Sequence, residues 1–253
     1  MAAVSLAEYL ADADARLDFV RDALATQIRL HPELPRGEIL RQRTFLRSTV
    51  GPDEPEFMDR AAEIAEAGTP ADLEALRPEL RRIREKIYAL PPQDPVHCFR
   101  FDVNDAGQCY FHIHNPMPPK SFLDDPAYVA AEFRRIMDLA EKEHGCTELF
   151  TATWLNSLDR FLAYLPEEWR RNMKYPPADE VGPTLGWQGQ FVNRYGLLNR
   201  KTAAYYVEHG VLPYRRCTSF CTFAAMREHL GRIAIRPSQT HGARSVSDER
   251  AGA

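Results

Sequence analysis

Apolar residues recur three and four positions apart through the first 90 residues, the spacing of a buried helical stripe. Leu6, Leu10, Ala13, Leu17, Val20, Leu24 and Ile28 predict a long first helix, with Ser5 as its N-cap and Pro32 and Pro35 beyond its end. A second helix is expected over residues 37–50, stopped by Gly51-Pro52, and a third from Pro55 that buries Phe57, Ala61, Ile64 and Ala65. The fourth opens on Thr69-Pro70-Ala71-Asp72, a cap followed by proline at the first helical position. It continues through Leu73, Leu76, Leu80, Ile83, Ile87 and Leu90, and Pro78 should bend its first turns. Pro91-Pro92-Gln93-Asp94-Pro95 ends the helical half.

The period then changes from three or four to two. Residues 96–103 and 108–114 alternate about the turn Asn104-Asp105-Ala106-Gly107, which reads as a β-hairpin. A helix over 126–144 and a strand over 147–155 follow, so the second hairpin strand, this helix and this strand form a right-handed βαβ unit with parallel strands. A helix from Ser157 towards Met173, a loop over 174–183, a strand over 187–193, a helix over 199–209, a strand over 217–223 and a helical end over 224–230 complete the pattern. The expected fold is α+β: a helical N-terminal half packed on a small mixed sheet that contains a β-hairpin and a βαβ unit. Its organisation is a helical region over 1–92, an α+β catalytic region over 93–236 and a disordered tail over 237–253.

The hairpin carries the strongest functional inference. A two- or four-residue loop would set Val103 against Gln108 and Phe101 against Tyr110, mixing apolar and polar partners. A type I turn with Gly107 as a left-handed bulge residue instead sets Val103 against Cys109, Phe101 against Phe111 and Phe99 against Ile113, which makes one face uniformly apolar. The other face then holds Cys98, Arg100, Asp102, Tyr110, His112 and His114. These groups suit an active-site floor: His112 and His114 for proton transfer, Asp102 and Tyr110 in support, and Arg100 for an anionic substrate group. The same groups also suit a plain solvated sheet face. Asn115 should sit at the carboxyl edge of the parallel strands, where ligands collect. Trp187, Gln190 and Arg194, in the stretch Gly186-Trp187-Gln188-Gly189-Gln190-Phe191-Val192-Asn193-Arg194, are further candidates for binding substrate. Arg194, Arg200, Lys201, Arg215 and Arg216 against Glu208 make a local basic excess that would steer a carboxylate or phosphate.

Composition narrows the partners. The chain has 253 residues, 44% hydrophobic and 27% charged, with a formal net charge of −4. That profile is a globular one, without the basic excess of a nucleic-acid binder. No apolar run is long enough to span a bilayer, and the acidic N-terminus is unlike a signal peptide. Five cysteines without CxxC spacing argue for neither structural zinc nor a disulfide framework, so a cytoplasmic setting and a small-molecule partner are expected. The chain also lacks GxSxG, GxxxxGK[ST] and GxGxxG patterns.

No cofactor is required by these residues, and two alternatives stay open. His112 and His114, two apart on one strand face, could share a metal ion with Cys98 as third ligand, although Arg100 beside them opposes a cation. The order hairpin, helix, strand, helix over 96–165 resembles the second half of GNAT-type acyl-CoA acyltransferases. Residues 148–165 (ELFTATWLNSLDRFLAYL) are similar to that family's fifth strand and following helix, with Asn156 and Tyr164 near the family's positions. The resemblance implies acyl-CoA as cosubstrate. The family's glycine-rich pyrophosphate loop is replaced by Pro116-Met117-Pro118-Pro119-Lys120, whose prolines lack the N–H groups of an anion cradle. Three functions are thus expected in turn: an acid/base enzyme for a small anionic metabolite, an acyltransferase, and a non-enzymatic ligand-binding or scaffold protein.

Overall fold

The computed structural model describes residues 4–51, 53–90, 96–115, 120–177 and 180–235. The readings made for residues 91–95, 116–119 and the tail fall outside these.

Helix α1 (Leu6–Leu30) starts on a capping box, in which Ser5 accepts the Glu8 N–H and the Glu8 carboxylate accepts the Ser5 N–H. The second predicted helix is two, α2 (Arg36–Arg43) and α3 (Leu46–Val50). Thr44 divides them: its backbone is extended, and its buried hydroxyl donates to the Leu40 carbonyl at 2.6 Å. α4 (Pro55–Ala67) follows. Thr69 and Asp72 form the predicted cap, but of a 3₁₀ segment, Pro70–Leu76. The bend expected at Pro78 is the start of a new helix, α5 (Arg77–Ala89), where a missing proline N–H costs nothing.

The sheet has the order β1-β2-β3-β4, with β1 (Phe99–Val103) antiparallel to β2 (Cys109–Ile113), β2 parallel to β3 (Glu148–Thr153), and β3 antiparallel to β4 (Cys217–Thr222). α6 (Pro126–His144) is the crossover of the βαβ unit and ends at Gly145 in the left-handed conformation. The helix expected to run from 157 towards 173 is broken into α7 (Asp159–Leu162) and α8 (Glu167–Arg171), with Pro166 capping the second. The strand expected over 187–193 is a correction: α9 (Leu185–Gln188) and a 3₁₀ turn occupy it, and the Trp187 and Gln188 N–H groups both donate to the Thr184 carbonyl at 2.9 Å. α10 (Arg200–His209) and α11 (Phe223–Ile235) are the last helices of the described residues.

Two apolar cores result. The first joins α1 to α5 and also takes in Phe191, Leu198, Ala203 and Tyr206, so the segment around α10 returns to the helical half. The second lies between one face of the sheet and α6, α7, α8 and α11, with Phe99, Phe111, Phe133 and Trp169 at its centre. The other sheet face carries exposed Arg100 and Asp102 beside half-buried Tyr110, His112, Phe150 and Phe220. The parallel pair shares two rungs, Cys109 with Leu149 and Tyr110 with Phe150, and further along the side chain of Thr151 donates to the Phe111 carbonyl at 2.8 Å. Among the described residues no helix is long and apolar enough to cross a membrane.

Candidate functional site

The bulged register is the one the structure adopts: Val103 faces Cys109, Phe101 faces Phe111, and Phe99 faces Ile113. Gly107 sits at φ +74°, where a side chain would be strained, and its N–H donates to the Asn104 carbonyl at 2.8 Å. The Asn104 side chain fastens the turn, accepting from the N–H groups of Ala106 and Gln108. Phe99, Cys109 and Phe111 are fully buried, while Phe101 and Ile113 are half-buried and Val103, next to the turn, is exposed.

That register brings Arg100, Asp102, Tyr110 and His112 to the open face. Arg100 stands opposite His112 and Asp102 opposite Tyr110. His112 Nε2 lies 2.8 Å from Asp102 Oδ2, with side-chain exposures of 42% and 78%. The Tyr110 ring packs on the imidazole at 4.5 Å between centroids, and Phe150 meets Tyr110 edge-on at 5.3 Å. With Asp102 accepting from Nε2–H, the basic lone pair of a neutral His112 is on Nδ1. Nδ1 is then the ring atom available to exchange a proton with a ligand on this face.

Cys98 is a correction. It is fully buried in the second core rather than on the open face, since it precedes β1 and the strand alternation does not reach it. Burial and then the nearby Glu132 charge push its thiol well up, and its place in that core sets it apart from His112 on the open face. Among the described residues no three His, Cys, Asp or Glu side chains converge as a metal site requires.

The remaining candidates are dispersed. His114 is half-buried, with its N–H bonded to the Cys98 carbonyl at 3.0 Å. Asn115 shapes the approach to α6, donating to the Lys120 carbonyl at 2.8 Å and accepting from Phe122 N–H at 3.2 Å. Trp187 is buried under the Arg216 guanidinium, 5.3 Å from its ring centroid. Gln190 is buried and spends its amide on the carbonyls of Trp187 and Tyr214 and on Tyr214 N–H, so it braces a turn. Arg194 is exposed and lies on the Tyr195 ring. Of the residues the acyltransferase resemblance singles out, Asn156 is buried between the Cys217 carbonyl and Trp169 Nε1. The buried Tyr164 hydroxyl donates to the Leu123 carbonyl at 2.8 Å, and burial raises its pKa.

Sequence reasoning missed a second histidine pair. His97 Nδ1 lies 2.8 Å from Glu132 Oε1, and Arg135 holds the same carboxylate through two contacts of 3.1 Å. Glu132 and Arg135, three apart on α6, give no sequence signal beyond a solvated helix pair. No family model matches the chain, and neither a curated protein nor a solved structure matches it.

Proposed function

We propose that the chain is an enzyme acting on a small anionic organic molecule by acid/base chemistry, with His112 transferring the proton. The observation that supports this reading best is the 2.8 Å contact between His112 and Asp102 on a rigid, open sheet face beside Arg100 and Tyr110. Asp102 holds the imidazole tautomer and balances the imidazolium, Tyr110 supports the ring, and Arg100 binds the anionic group. The enzyme works in a reducing cytoplasm on a small molecule rather than a nucleic acid, in keeping with its net charge of −4 and its five free, buried cysteines. The test is a thermal-shift screen of carboxylate and phosphate metabolites, followed by mass-spectrometric turnover assays of the hits. Turnover should disappear in His112→Gln at an unchanged melting temperature; full turnover in that variant sinks the reading.

One observation favours a second reading, an acyl-CoA-dependent acyltransferase. β2 and β3 flank α6 in parallel and share two backbone rungs, with the Thr151–Phe111 side-chain bond the next tie towards their carboxyl ends, beyond which a ligand would sit. The Tyr164–Leu123 bond ties the chain after β3 to the entry of α6 at that same edge. Calorimetric titration with acetyl-CoA decides it: saturable binding supports the transferase, and no heat of binding removes it.

A further inference from the structure

We propose that Arg216 is an anion-binding residue for the substrate of this site, taking a second carboxylate or phosphate group, distinct from the one Arg100 holds, at the far side of the open sheet face from His112. The placement rests on the acid/base reading above; the binding itself does not. Arg216 immediately precedes β4, whose first residue, Cys217, pairs with Thr153 at the carboxyl end of β3. Along β4 the buried Cys217, Ser219 and Cys221 face the second core and the half-buried Thr218 and Phe220 face away from it. Arg216 lies one residue before the strand, so its side is given not by alternation but by its contact with Trp187 of α9, a residue outside the second core.

The side chain there is fixed yet uncommitted. Its guanidinium lies over the Trp187 ring at 5.3 Å, its Nε is buried with no acceptor, and no carboxylate among the described residues pairs with it. The neighbouring Arg215 differs, being bonded to the Pro176 carbonyl and lying on the Tyr175 ring. A cation partly removed from water without a counter-charge is costly in a folded chain, and an incoming anion relieves that cost. Stacking on Trp187 fixes the plane of the donor fork, so little freedom is lost when it closes on an oxyanion. Gly186 walls the inner side: a Cβ there would lie 2.6 Å from the Ala152 carbonyl and 3.6 Å from Arg216 Nε, so only glycine lets the turn before Trp187 descend this far. Neighbouring strands lie about 4.8 Å apart, so β2 and β4 are separated by two such spacings. A substrate that reaches both His112 and Arg216 is accordingly an extended molecule with a terminal anion, not a lone small ion.

The experiment titrates the full chain, at constant ionic strength, with sodium pyrophosphate in one arm and sodium succinate in the other, following tryptophan fluorescence. A saturable response to pyrophosphate alone assigns the site to phosphate, and one to succinate alone assigns it to carboxylate. Arg216→Gln should weaken the response about tenfold and Arg216→Lys by less, since lysine keeps the charge but not the fork. Arg215→Gln should bind as the unaltered chain does. The readout here is binding, whereas the acid/base reading fails on turnover alone, so the two fail separately. The inference is overturned if neither anion gives a saturable response, or if Arg216→Gln and Arg216→Lys both bind at the unaltered level.

Discussion

Two histidine–carboxylate pairs of equal length stand on opposite sides of the same sheet. His97–Glu132 and His112–Asp102 both close to 2.8 Å, yet the Glu132 side chain is 6% exposed and that of Asp102 78%. Glu132 also holds Arg135, which in turn donates to the Phe99 carbonyl at 2.5 Å, so the first pair is a cross-link between α6 and β1. The second pair bridges only the two strands of the hairpin that carries it. Distance alone therefore does not mark a reactive histidine. The two imidazoles are similarly exposed, at 36% and 42%; what differs is the carboxylate, built into the fold in the first pair and open to solvent in the second.

The contrast breaks most visibly on the core side of the hairpin. Phe111 is fully buried against Phe99, Phe133 and Trp169, and Phe111→Ala should cost about 4 kcal/mol in urea unfolding, through lost transfer energy and the cavity left behind. Next comes Glu132→Gln, which strips the charge that Arg135 and His97 share and should cost about 3 kcal/mol at neutral pH. Burial alone would raise the Glu132 carboxyl, but the Arg135 and then the His97 hydrogen bonds outweigh it and hold it below its ordinary value. A carboxylate depressed in the folded state stabilises above its unfolded pKa of about 4.3 and loses that contribution as pH falls through the folded value. The difference between the unaltered chain and Glu132→Gln should accordingly be largest near pH 7 and shrink below about pH 4. A pH-independent difference would show that Glu132 acts by packing rather than by charge.

A smaller effect belongs to the turn that separates the two faces. Gly107 at φ +74° sets the bulge, and alanine there should cost about 1 kcal/mol while leaving the register intact. A shifted register, seen as altered cross-strand proton contacts, would move His112 towards the core face and undo the comparison.

That turn explains why this part of the fold was legible in the sequence. One loop geometry made Phe99, Phe101, Phe111 and Cys109 agree, and Gly107 was the residue able to adopt it. Pro78 likewise located the break before α5. The residues around Trp187 were not legible, because a short aromatic and amide run fits strand and helix equally until tertiary contacts choose. Phe191 and Tyr206 belong to the helical core through contacts with Phe19 of α1, with Phe45 and, for Tyr206, with the Arg43 carbonyl, all distant in sequence. Within the candidate site, alternation foretold Arg100, Asp102, Tyr110 and His112 but overreached at Cys98, one residue before the strand begins. The His97–Glu132 pair had no local pattern to reveal it.

The smallest stability effects should fall on the open face. An exposed ion pair gains little over water, so Asp102→Asn and His112→Gln should each shift the unfolding free energy by no more than about 0.5 kcal/mol. Stability and proton transfer would then separate cleanly between the two pairs. Asp102→Asn keeps the shape of the side chain while removing the charge that would balance an imidazolium, so turnover should fall about a hundredfold although stability hardly moves. The equivalent change at Glu132 should leave turnover per folded molecule unmoved, because that carboxylate lies on the covered side of the sheet. Unaltered turnover in Asp102→Asn would mean that the 2.8 Å contact takes no part in moving a proton. His112 would then be an ordinary surface imidazole, and the exposed face would lose its claim to chemistry.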